Sequence, residues 1–549
     1  MNGAELTIRL LEREGISVIA GIPGGTNLPL YDALYASSIR HILVRHEQAA
    51  GFLAQGMSRS TGKTAVCFAT SGPGATNLIT ALADAKMDSV PIVAITGQVS
   101  TALIGTDAFQ EIDIYGMTIP ITKHNFLVRS ASELLEVIPE AFRIAASGRQ
   151  GPVLVDIPKD VQLSPVSVDA FPERSAIDAK PAPDEQSLRT IASMITAAKR
   201  PLLYIGGGCI HNGASELIRE LAHRNGIPAV HTLMGAGVFP SGDALDLGML
   251  GMHGKSATNH LSKETDLLIV LGARFDDRAT GRSDAFCPDA SVIHVDIDDA
   301  EIGKIRATDM HIVADVSQTL KLLLPHITEN KRSAWRARIA ELKSMHPPLT
   351  VSDTHPAHVV AAAQSYFGDN VIVTTDVGQH QMWTAQTWNC VRPRQLLTSG
   401  GLGTMGFGLP AAIGASLVNP DTPVCCMSGD GSILMNIQEL ATLAELNLPV
   451  TIILFNNGHL GLVRQQQELF FGKRYIASRF QKNPDFVTIA RGFGITAMRA
   501  TPETIADVLR SNSAGKAPLF IDVAIPADAN VYPIVPPGKA NHEMIGAEL

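Results

Sequence analysis

Cysteine is scarce in this 549-residue chain, and its positions argue against two kinds of site. The six cysteines stand at positions 67, 209, 287, 390, 425 and 426, and no two of them form a C-x-x-C motif. Most lie within or beside apolar runs, as small core residues do in proteins of a reducing compartment. We therefore expect neither a disulfide framework nor a zinc site.

Long apolar runs and blocks of basic residues are also missing. No run approaches the roughly 20 apolar residues that a membrane-spanning helix needs. The formal net charge of −9 is spread along the chain, so we expect neither nucleic acid nor a membrane as a partner. Residues 1–5 begin an amphipathic helix rather than a signal or transit peptide. Together these features predict a soluble, cytoplasmic protein.

The chain does contain three parts of similar length that alternate short β-rich runs with helical patterns. Proline-rich stretches at 163–186 and 344–357 separate the parts and have the composition of exposed linkers. This alternation predicts an α/β fold of three doubly wound parallel-sheet domains. The predicted domains span 1–165, 186–345 and 357–535, and a C-terminal tail covers 536–549.

The first and third parts share an order of elements. In the first, an apolar run at 65–70 leads into Ser-Gly-Pro-Gly, a helical stretch and a proline-led run at 90–95. In the third, the run 423–427 leads into Ser-Gly-Asp-Gly, a helical stretch at 435–446 and a proline-led run at 448–453. This order predicts duplicated domains, of which only the third has the residues for a metal.

The residues expected to bind that metal are Asp430, in a Gly-Asp-Gly-Ser string, and Asn457, in an Asn-Asn pair. Each follows a predicted buried strand, and the carboxyl ends of parallel strands are where open α/β sheets bind ligands. A carboxylate and an amide oxygen suit Mg2+, which keeps its other positions for water and phosphate. Gly429 and Gly431 would let the backbone approach that phosphate. For either string alone, an ordinary strand–loop–helix with a capping aspartate remains the alternative.

Glu47 lies where a predicted strand (41–44) gives way to a helix starting near position 49. Alone, such a glutamate is commonly a surface or capping residue. Paired with a diphosphate and metal site on a twin domain, however, it indicates thiamine diphosphate. The aminopyrimidine N1′ of that cofactor must share a proton with a carboxylate before its 4′-imino group can remove the thiazolium C2 proton. A carboxyl group in an apolar cleft can hold such a proton near neutrality.

Two further loops point to the same cofactor. The segment 376–381 follows another apolar run, so Val377, Gly378, Gln379 and His380 could offer amides and side chains to the diphosphate. The segment 401–406 is formally a G-x-G-x-x-G motif, but positions 418–421 predict a loop rather than a strand ending in an acid. We therefore interpret Gly403 as a point of close backbone approach, with Met405 beneath the bent cofactor.

From about residue 3 to 545 the chain resembles the catalytic large subunits of the biosynthetic acetohydroxyacid synthase (acetolactate synthase) family. The resemblance is carried by segments 21–25, 46–48, 71–77, 105–111, 376–381 and 401–410 and by the Gly-Asp-Gly and Asn-Asn strings. It implies that Glu47 is the N1′ partner and that the backbone carbonyl of His459 joins Asp430 and Asn457 on Mg2+. The implied thiamine diphosphate residues also include Pro23, Gly24, Gly25, Thr70, Pro73, Asn77, Gln110, Ser432, Leu460, Gly461 and Leu462.

The resemblance implies a second cofactor, FAD, in the middle domain, which would otherwise be interpreted as a structural spacer. From the residues alone, an acid ending a strand at Asp296 could accept a ribose hydroxyl hydrogen bond. The Arg-Phe-Asp-Asp-Arg string also argues against the flavin-free catabolic enzymes. The implied FAD residues are Arg149, Gly206, Gly207, Met252, His253, Gly254, Gly272, Ala273, Arg274, Phe275, Asp276, Arg278, Asp296, Ile297 and Asp315.

The implied reaction decarboxylates pyruvate and ligates the remaining hydroxyethyl unit to a second 2-oxo acid. Pyruvate as acceptor gives 2-acetolactate and 2-oxobutyrate gives 2-aceto-2-hydroxybutyrate, the first common step of valine, leucine and isoleucine biosynthesis. Gln110, Lys159 and Arg278 match positions that line the substrate channel, and the fork of Arg278 suits an acceptor carboxylate. For Lys159, a plain surface charge is an equal alternative.

Specificity is assigned to Gln466, Val463 and Phe109. Gln466 stands where most of the family has a tryptophan, and glutamine offers no apolar face to the extra methylene of 2-oxobutyrate. This predicts weak discrimination between the two acceptors, leaning towards acetolactate. The family also implies a homodimer with active sites at the interface and a small regulatory subunit.

Three alternatives stay open on the sequence. A pyruvate oxidase or a simple 2-oxo acid decarboxylase would share Glu47 and the metal strings. An NAD-linked oxidoreductase could use the motif at 401–406. A catalytically silent scaffold or regulatory homologue is the third, and the intact Glu47, Asp430 and Asn457 count against it.

Overall fold

The computed structural model describes residues 1–178, 182–211, 213–347 and 352–546. These residues form three six-stranded parallel sheets with flanking helices, which confirms the predicted α/β class. Each sheet lies inside one of the three predicted domain ranges, although the exact domain limits stay a prediction. Pro181 and Pro348 of the predicted linkers, and the last three residues of the predicted tail, lie outside the described residues.

The first sheet has the strand order β2-β1-β3-β4-β6-β5. Its strands are β1 (Val18–Gly21), β2 (Arg40–Leu43), β3 (Ala65–Ala69), β4 (Ile92–Gln98), β5 (His124–Leu127) and β6 (Val153–Pro158). Its helices are α1 (Gly3–Arg13), α2 (Leu28–Tyr35), α3 (Glu47–Thr61), α4 (Pro73–Asn77), α5 (Ile79–Met87), α6 (Ile114–Thr118), α7 (Leu134–Ala146) and α8 (Lys159–Leu163).

The central sheet has the order β12-β11-β10-β7-β8-β9. Its strands are β7 (Pro201–Ile205), β8 (Ala229–His231), β9 (Asp246–Met249), β10 (Leu267–Leu271), β11 (Ser291–Asp296) and β12 (Met310–Val313). Its helices are α9 (Glu185–Ala197), α10 (Ala214–Asn225), α11 (Ser256–Leu261), α12 (Asp277–Thr280), α13 (Val316–Leu323) and α14 (Ser333–Met345). Read from β9, this is the 3-2-1-4-5-6 order of dinucleotide-binding sheets, with its switch point between β7 and β10.

The third sheet has the order β14-β13-β15-β16-β18-β17. Its strands are β13 (Ile372–Thr375), β14 (Leu396–Leu397), β15 (Val424–Gly429), β16 (Val450–Asn456), β17 (Thr496–Ala500) and β18 (Leu519–Ala524). Its helices are α15 (Pro356–Phe367), α16 (Gln379–Thr387), α17 (Gly408–Val418), α18 (Asp430–Ile433), α19 (Glu439–Leu446), α20 (Gly461–Phe470), α21 (Phe486–Gly492) and α22 (Ile505–Ser511). Its order repeats that of the first sheet, as the predicted duplication requires.

Both faces of each sheet are covered. In β4, Ala94 packs into one apolar cluster while Val93 and Ile95 pack into another. Strand residues that are buried on both sides read as continuous apolar runs, which is why the strands were visible in the sequence. No helix in the described part of the chain is both long and apolar enough to cross a membrane.

Helices α3 and α17 join the first and third domains at very close range. A Cβ on Gly56 of α3 would overlap the carbonyl oxygen of Ala411, and a Cβ on Gly414 of α17 would overlap that of Leu53. Glycine is therefore needed at both positions for the two helix backbones to touch. This contact fixes the two twin domains against each other.

The predicted helix over 435–446 is wrong in its first four residues. The chain forms the short helix α18 directly after β15, and the next helix, α19, begins at Glu439. The side chain of Asn436 lies between them and donates to the carbonyl oxygen of Gly406 at 2.8 Å. This bond to another loop replaces a continuous helical turn.

Candidate active site

The predicted metal residues lie in two adjacent loops at the carboxyl edge of the third sheet. β15 and β16 pair in parallel register, and Asp430 and Asn457 directly follow them. The backbone N–H of Gly458 donates to Asp430 Oδ2 at 2.7 Å, and that of His459 donates to Asn457 Oδ1 at 3.0 Å. The structure therefore brings these residues together as the order of strands predicted.

The electrostatics of Asp430 fit a bound cation. Burial raises the pKa of this carboxyl above its usual value. Its hydrogen-bond donors are the N–H groups of Gly431 and Gly458 and the Asn483 amide, and no cationic side chain of the described chain is among them. The described residues contain no cluster of three His, Cys, Asp or Glu suited to a metal. A set of carboxylate, amide and carbonyl oxygens suits Mg2+ rather than zinc.

The neighbouring pocket fits an anionic group. His380, in the first turn of α16, is buried, and its Nε2 has no partner among the described residues. Burial lowers the pKa of His380 to about 3. A Cβ on Gly429 would lie 2.9 Å from His380 Nδ1, so glycine keeps this space open. A diphosphate could fill the space between the amino terminus of α16, the unpartnered Nε2 of His380 and the backbone at Gly429.

Gln379, predicted to bind the cofactor, has side-chain hydrogen-bond partners in the structure. Its Nε2 donates to the carbonyl oxygen of Ala529 at 2.8 Å, and its Oε1 accepts from Asn457 Nδ2 at 3.2 Å. A Cβ on Gly461 would overlap Gln379 Oε1, so the glycine there leaves room for the glutamine. In this chain Gln379 holds Asn457 in place.

Glu47 is the first residue of α3 and is half-buried at the carboxyl edge of the first sheet. Its Oε2 accepts from Asn77 Nδ2 at 2.9 Å. A Cβ on Gly74 would lie 3.3 Å from its Oε1, and Gly24 packs directly against Thr70. The loops that follow β1, β2 and β3 thus place the predicted pyrimidine-side residues along one edge.

A cleft of about 890 Å³ lies between the three domains. Its volume is within the range of small-molecule and cofactor sites. Most of the predicted FAD residues line it, whereas Gly254 and Phe275 do not. The predicted residues that line the cleft are Arg149, Gly206, Gly207, Met252, His253, Gly272, Ala273, Arg274, Asp276, Arg278, Asp296, Ile297, Asp315, Gly403, Leu462 and Gln466.

Phe275 is instead part of the central core. It is buried and packs edge-on against Tyr204 and Phe286, with ring centroids 6.0 and 6.5 Å apart. Phe275 is the single apolar residue in the string Arg-Phe-Asp-Asp-Arg, and its burial in this core could not be read from the sequence.

The chemistry of the cleft suits a dinucleotide. Gly206 follows β7 and Gly272 follows β10, so both lie at the switch point of the central sheet. A Cβ on Gly206 would overlap the Gly272 carbonyl oxygen, so glycine at position 206 is what allows the two loops to touch. Asp296 ends β11, and burial raises its pKa to about 6. Arg149 reaches in from the first domain but is already paired with Asp298 and Glu301 at 3.0 and 2.8 Å.

The predicted substrate and specificity residues lie on separate segments of the three domains. Arg278 borders the cleft with its side chain 63% exposed, and its guanidinium contacts Met252 Sδ at 3.4 Å. Gln110 is half-buried with a left-handed backbone (φ 61°), a sparsely populated conformation that is common at functional sites. Lys159 begins α8, and Phe109 is 87% exposed. Val463 is also exposed, on α20 beside the cleft residue Gln466.

Two polar residues at the site were missed by sequence reasoning. Asp376 accepts hydrogen bonds from the N–H groups of Gly406 (2.8 Å) and Val377 (3.0 Å), and burial raises its pKa to about 6. An acid directly after an apolar run was the signal that could have identified it. Asn483 donates to Asp430 Oδ2 and to Asn456 Oδ1, both at 2.8 Å, and no sequence pattern marks it.

Comparison with known proteins assigns the class. Residues 1–117 match the family "Thiamine pyrophosphate enzyme, N-terminal TPP binding domain", and residues 376–523 match its C-terminal TPP binding domain. Residues 188–323 match the central domain of the same enzymes. Thiamine pyrophosphate is another name for thiamine diphosphate. Three parallel sheets with these matches define a thiamine pyrophosphate enzyme.

Individual relatives narrow the class further. The chain is 53% identical to the acetolactate synthase isozyme 1 large subunit of Escherichia coli, over 99% of this chain and 97% of that protein. It is 45% identical to the isozyme 2 large subunit of E. coli, over 99% of both chains, and 47% identical to an acetolactate synthase of Mycobacterium bovis, over 100% of this chain and 92% of that protein. The chain belongs to the acetolactate synthase family, which confirms the resemblance seen in the sequence.

Proposed function

We propose that this protein condenses pyruvate with a second 2-oxo acid, with loss of CO2, using thiamine diphosphate, Mg2+ and FAD. Two pyruvates would give 2-acetolactate, and pyruvate with 2-oxobutyrate would give 2-aceto-2-hydroxybutyrate. The observation that carries the proposal has two parts. Asp430 accepts from the loop that contains Asn457 on one sheet, and Glu47 accepts from Asn77 on its twin. The acetolactate synthase relatives over the full chain support it.

Bound thiamine diphosphate supplies the carbon nucleophile and the electron sink of this chemistry. The role of Glu47 is to share a proton with the pyrimidine ring nitrogen. Asp430, Asn457 and the carbonyl of His459 would hold Mg2+ and, through it, the diphosphate. The Arg278 fork would orient an acceptor carboxylate. The surrounding loops must also exclude water, because a stray proton donor would divert the reaction to acetaldehyde.

FAD is proposed for the cleft because of its volume, its place at the switch point and the acid at Asp296. The condensation transfers no net electrons, so the flavin would have no redox step in it.

A homodimer is proposed because Phe109, Met435 and Leu402, on or beside site loops, expose large apolar surfaces. A small regulatory partner is proposed because relatives carry the name "large subunit". A cytoplasmic location and the domain limits 1–165, 186–345 and 357–535 are likewise proposals.

The test is to purify the protein, record its absorbance for flavin, and assay acetolactate from pyruvate while withholding thiamine diphosphate and Mg2+ in turn. We expect a five-carbon hydroxy-keto acid only when both are present, because the two ligand sets act on one site. Acetate or acetaldehyde as the main product would instead indicate an oxidase or a decarboxylase. Turnover that needs a nicotinamide cofactor would overturn the proposal.

Replacing Gln466 by tryptophan should shift the choice of acceptor towards 2-oxobutyrate. Gln466 borders the cleft and is exposed, so a tryptophan there would add an apolar face for the extra methylene. One methylene contact is worth on the order of 1 kcal/mol, or about fivefold in the product ratio. Competition between pyruvate and 2-oxobutyrate, with both products quantified, measures this ratio. Strong preference for 2-oxobutyrate in the unaltered protein would contradict the weak discrimination that Gln466 predicts.

A further inference from the structure

A loop of the third domain is held by carboxylates of the first. This loop, residues 399–406, contains the glycine-rich motif that the sequence left without a dinucleotide role. The N–H groups of Gly400 and Gly401 donate to the two oxygens of Asp88, at 2.9 and 2.7 Å. The side chain of Asp88 is fully buried by this contact.

A second buried carboxylate, Asp84, binds both ends of the same loop. Its Oδ1 accepts from the hydroxyl of Ser399 and from that of Thr404, the latter at 2.8 Å. Ser399 Oγ in turn accepts from the N–H of Thr404 at 2.8 Å, which closes the loop into a ring. Asp84 has no exposed surface, and burial raises the pKa of its carboxyl above the ordinary value.

One guanidinium, that of Arg59, serves both carboxylates. Its NH2 group lies 3.2 Å from Asp84 Oδ2 and 2.8 Å from Asp88 Oδ2, and its NH1 group donates to the carbonyl oxygen of Thr398 at 3.0 Å. Two carboxylates with one cation would be costly to bury without further donors. The loop hydroxyls and N–H groups are those donors, so the cluster is balanced only when the loop is in place.

The loop connects the two proposed cofactor sites. Ser399, Gly400, Gly401 and Gly403 line the cleft between the domains. At its other end, Gly406 donates to Asp376, which lies directly before the diphosphate segment. Met405, the residue predicted to lie beneath the thiamine cofactor, stands between these two anchors.

We propose that Arg59, Asp84 and Asp88 are positioning residues that, through Ser399 and Thr404, fix the 399–406 loop and with it the support that Met405 gives to the thiamine cofactor. The proposal rests on the proposed function, because it assigns the loop to the thiamine site. These three residues act by holding the loop against the first domain.

The test compares Thr404→Val with Thr404→Ser. Valine has nearly the same shape but removes the hydroxyl bond to Asp84, whereas serine keeps it. Thiamine diphosphate is titrated at saturating Mg2+ into the full-length protein freed of it, and binding is followed by tryptophan fluorescence, for which Trp383 in α16 is a buried reporter. Loss of one hydrogen bond to a charged group should raise the dissociation constant about tenfold in T404V, and T404S should bind like the unaltered protein.

Asp156→Asn is the matched control. Asp156 is equally buried in the first domain and accepts from Thr96 and Gln98, but it has no contact with the loop. It should lower the thermal midpoint without weakening thiamine diphosphate binding, whereas Asp84→Asn should weaken both. If Asp84→Asn does not fold, the comparison of Thr404→Val with Thr404→Ser still tests the positioning role.

Unchanged affinity in T404V, an equal loss in T404S, or an equal loss in Asp156→Asn would overturn the positioning role. These results are distinct from failure of the proposed function. If the proposed function fails, the unaltered protein will neither bind thiamine diphosphate nor form acetolactate. If only the positioning role fails, the unaltered protein will do both, and the affinities of the variants will differ from those expected.

Discussion

Replacing Glu47 by glutamine should lower kcat for acetolactate formation by about 10² to 10⁴-fold, the usual range for loss of a proton-transferring group. Glutamine keeps the size of the side chain and can still accept from Asn77, which now bonds Glu47 Oε2 at 2.9 Å. It cannot share a proton with the pyrimidine nitrogen. Steady-state rates at saturating pyruvate, with thiamine diphosphate affinity measured in parallel, separate the loss of chemistry from a loss of binding.

Glu439→Gln is a suitable control for this experiment. Glu439 is a buried carboxyl on the third domain that accepts from the N–H of Arg45 at 2.9 Å and from the Thr442 hydroxyl at 2.7 Å. Its replacement tests the cost of neutralising a buried glutamate that bonds the backbone two residues before Glu47 but has no role in the proposed chemistry. Undiminished turnover in Glu47→Gln would refute the assignment of the N1′ partner and the thiamine mechanism with it.

Replacing Asp430 by asparagine should raise the Mg2+ concentration needed for half-maximal thiamine diphosphate binding by about 100-fold or more. The substitution removes the one carboxylate of the proposed ligand set, and loss even of a supporting residue around a metal costs about 10- to 100-fold in affinity. Burial raises the pKa of Asp430, and its described hydrogen-bond donors are uncharged, so a bound cation would supply the compensating charge. Titration of Mg2+ at fixed thiamine diphosphate, followed by tryptophan fluorescence, measures the shift.

Asp522→Asn provides the comparison for Asp430. Asp522 accepts from Asn456 Nδ2 at 2.9 Å, so it lies one side chain away from the proposed ligands. We expect the Mg2+ requirement of the Asp522→Asn variant to stay close to that of the unaltered protein. Equal Mg2+ requirements in the two variants would place the metal elsewhere.

The fold was predictable because its strands are buried on both faces. β15 and β16 read as unbroken apolar runs, each followed by a polar loop, so their neighbouring positions in a parallel sheet could be expected. The placement of Asp430 and Asn457 in neighbouring loops follows from that register alone. The duplication was visible for the same reason, since equal strand orders leave equal sequences of runs and turns.

Contacts between distant segments could not be predicted. Ser399 and Asp84 are 315 residues apart in the chain, and no local pattern pairs a serine in a glycine-rich loop with an aspartate on α5. The same limit applies to the hydrogen bond between Asn457 and Gln379, and to Phe275, which packs in a core cluster. The helix over 435–446 was predicted too long because Asn436 bonds to a remote loop.

The contact between α3 and α17 is reciprocal. Gly56 meets the carbonyl of Ala411, and Gly414 meets the carbonyl of Leu53, so each glycine touches the residue three positions before the other. Such mutual correspondence is the property of an isologous interface, in which a local two-fold axis relates the partners. The two halves of this single polypeptide therefore meet as the subunits of a symmetric pair do. Glu47 and Met405 each lie six residues before the contacting positions, Leu53 and Ala411 respectively.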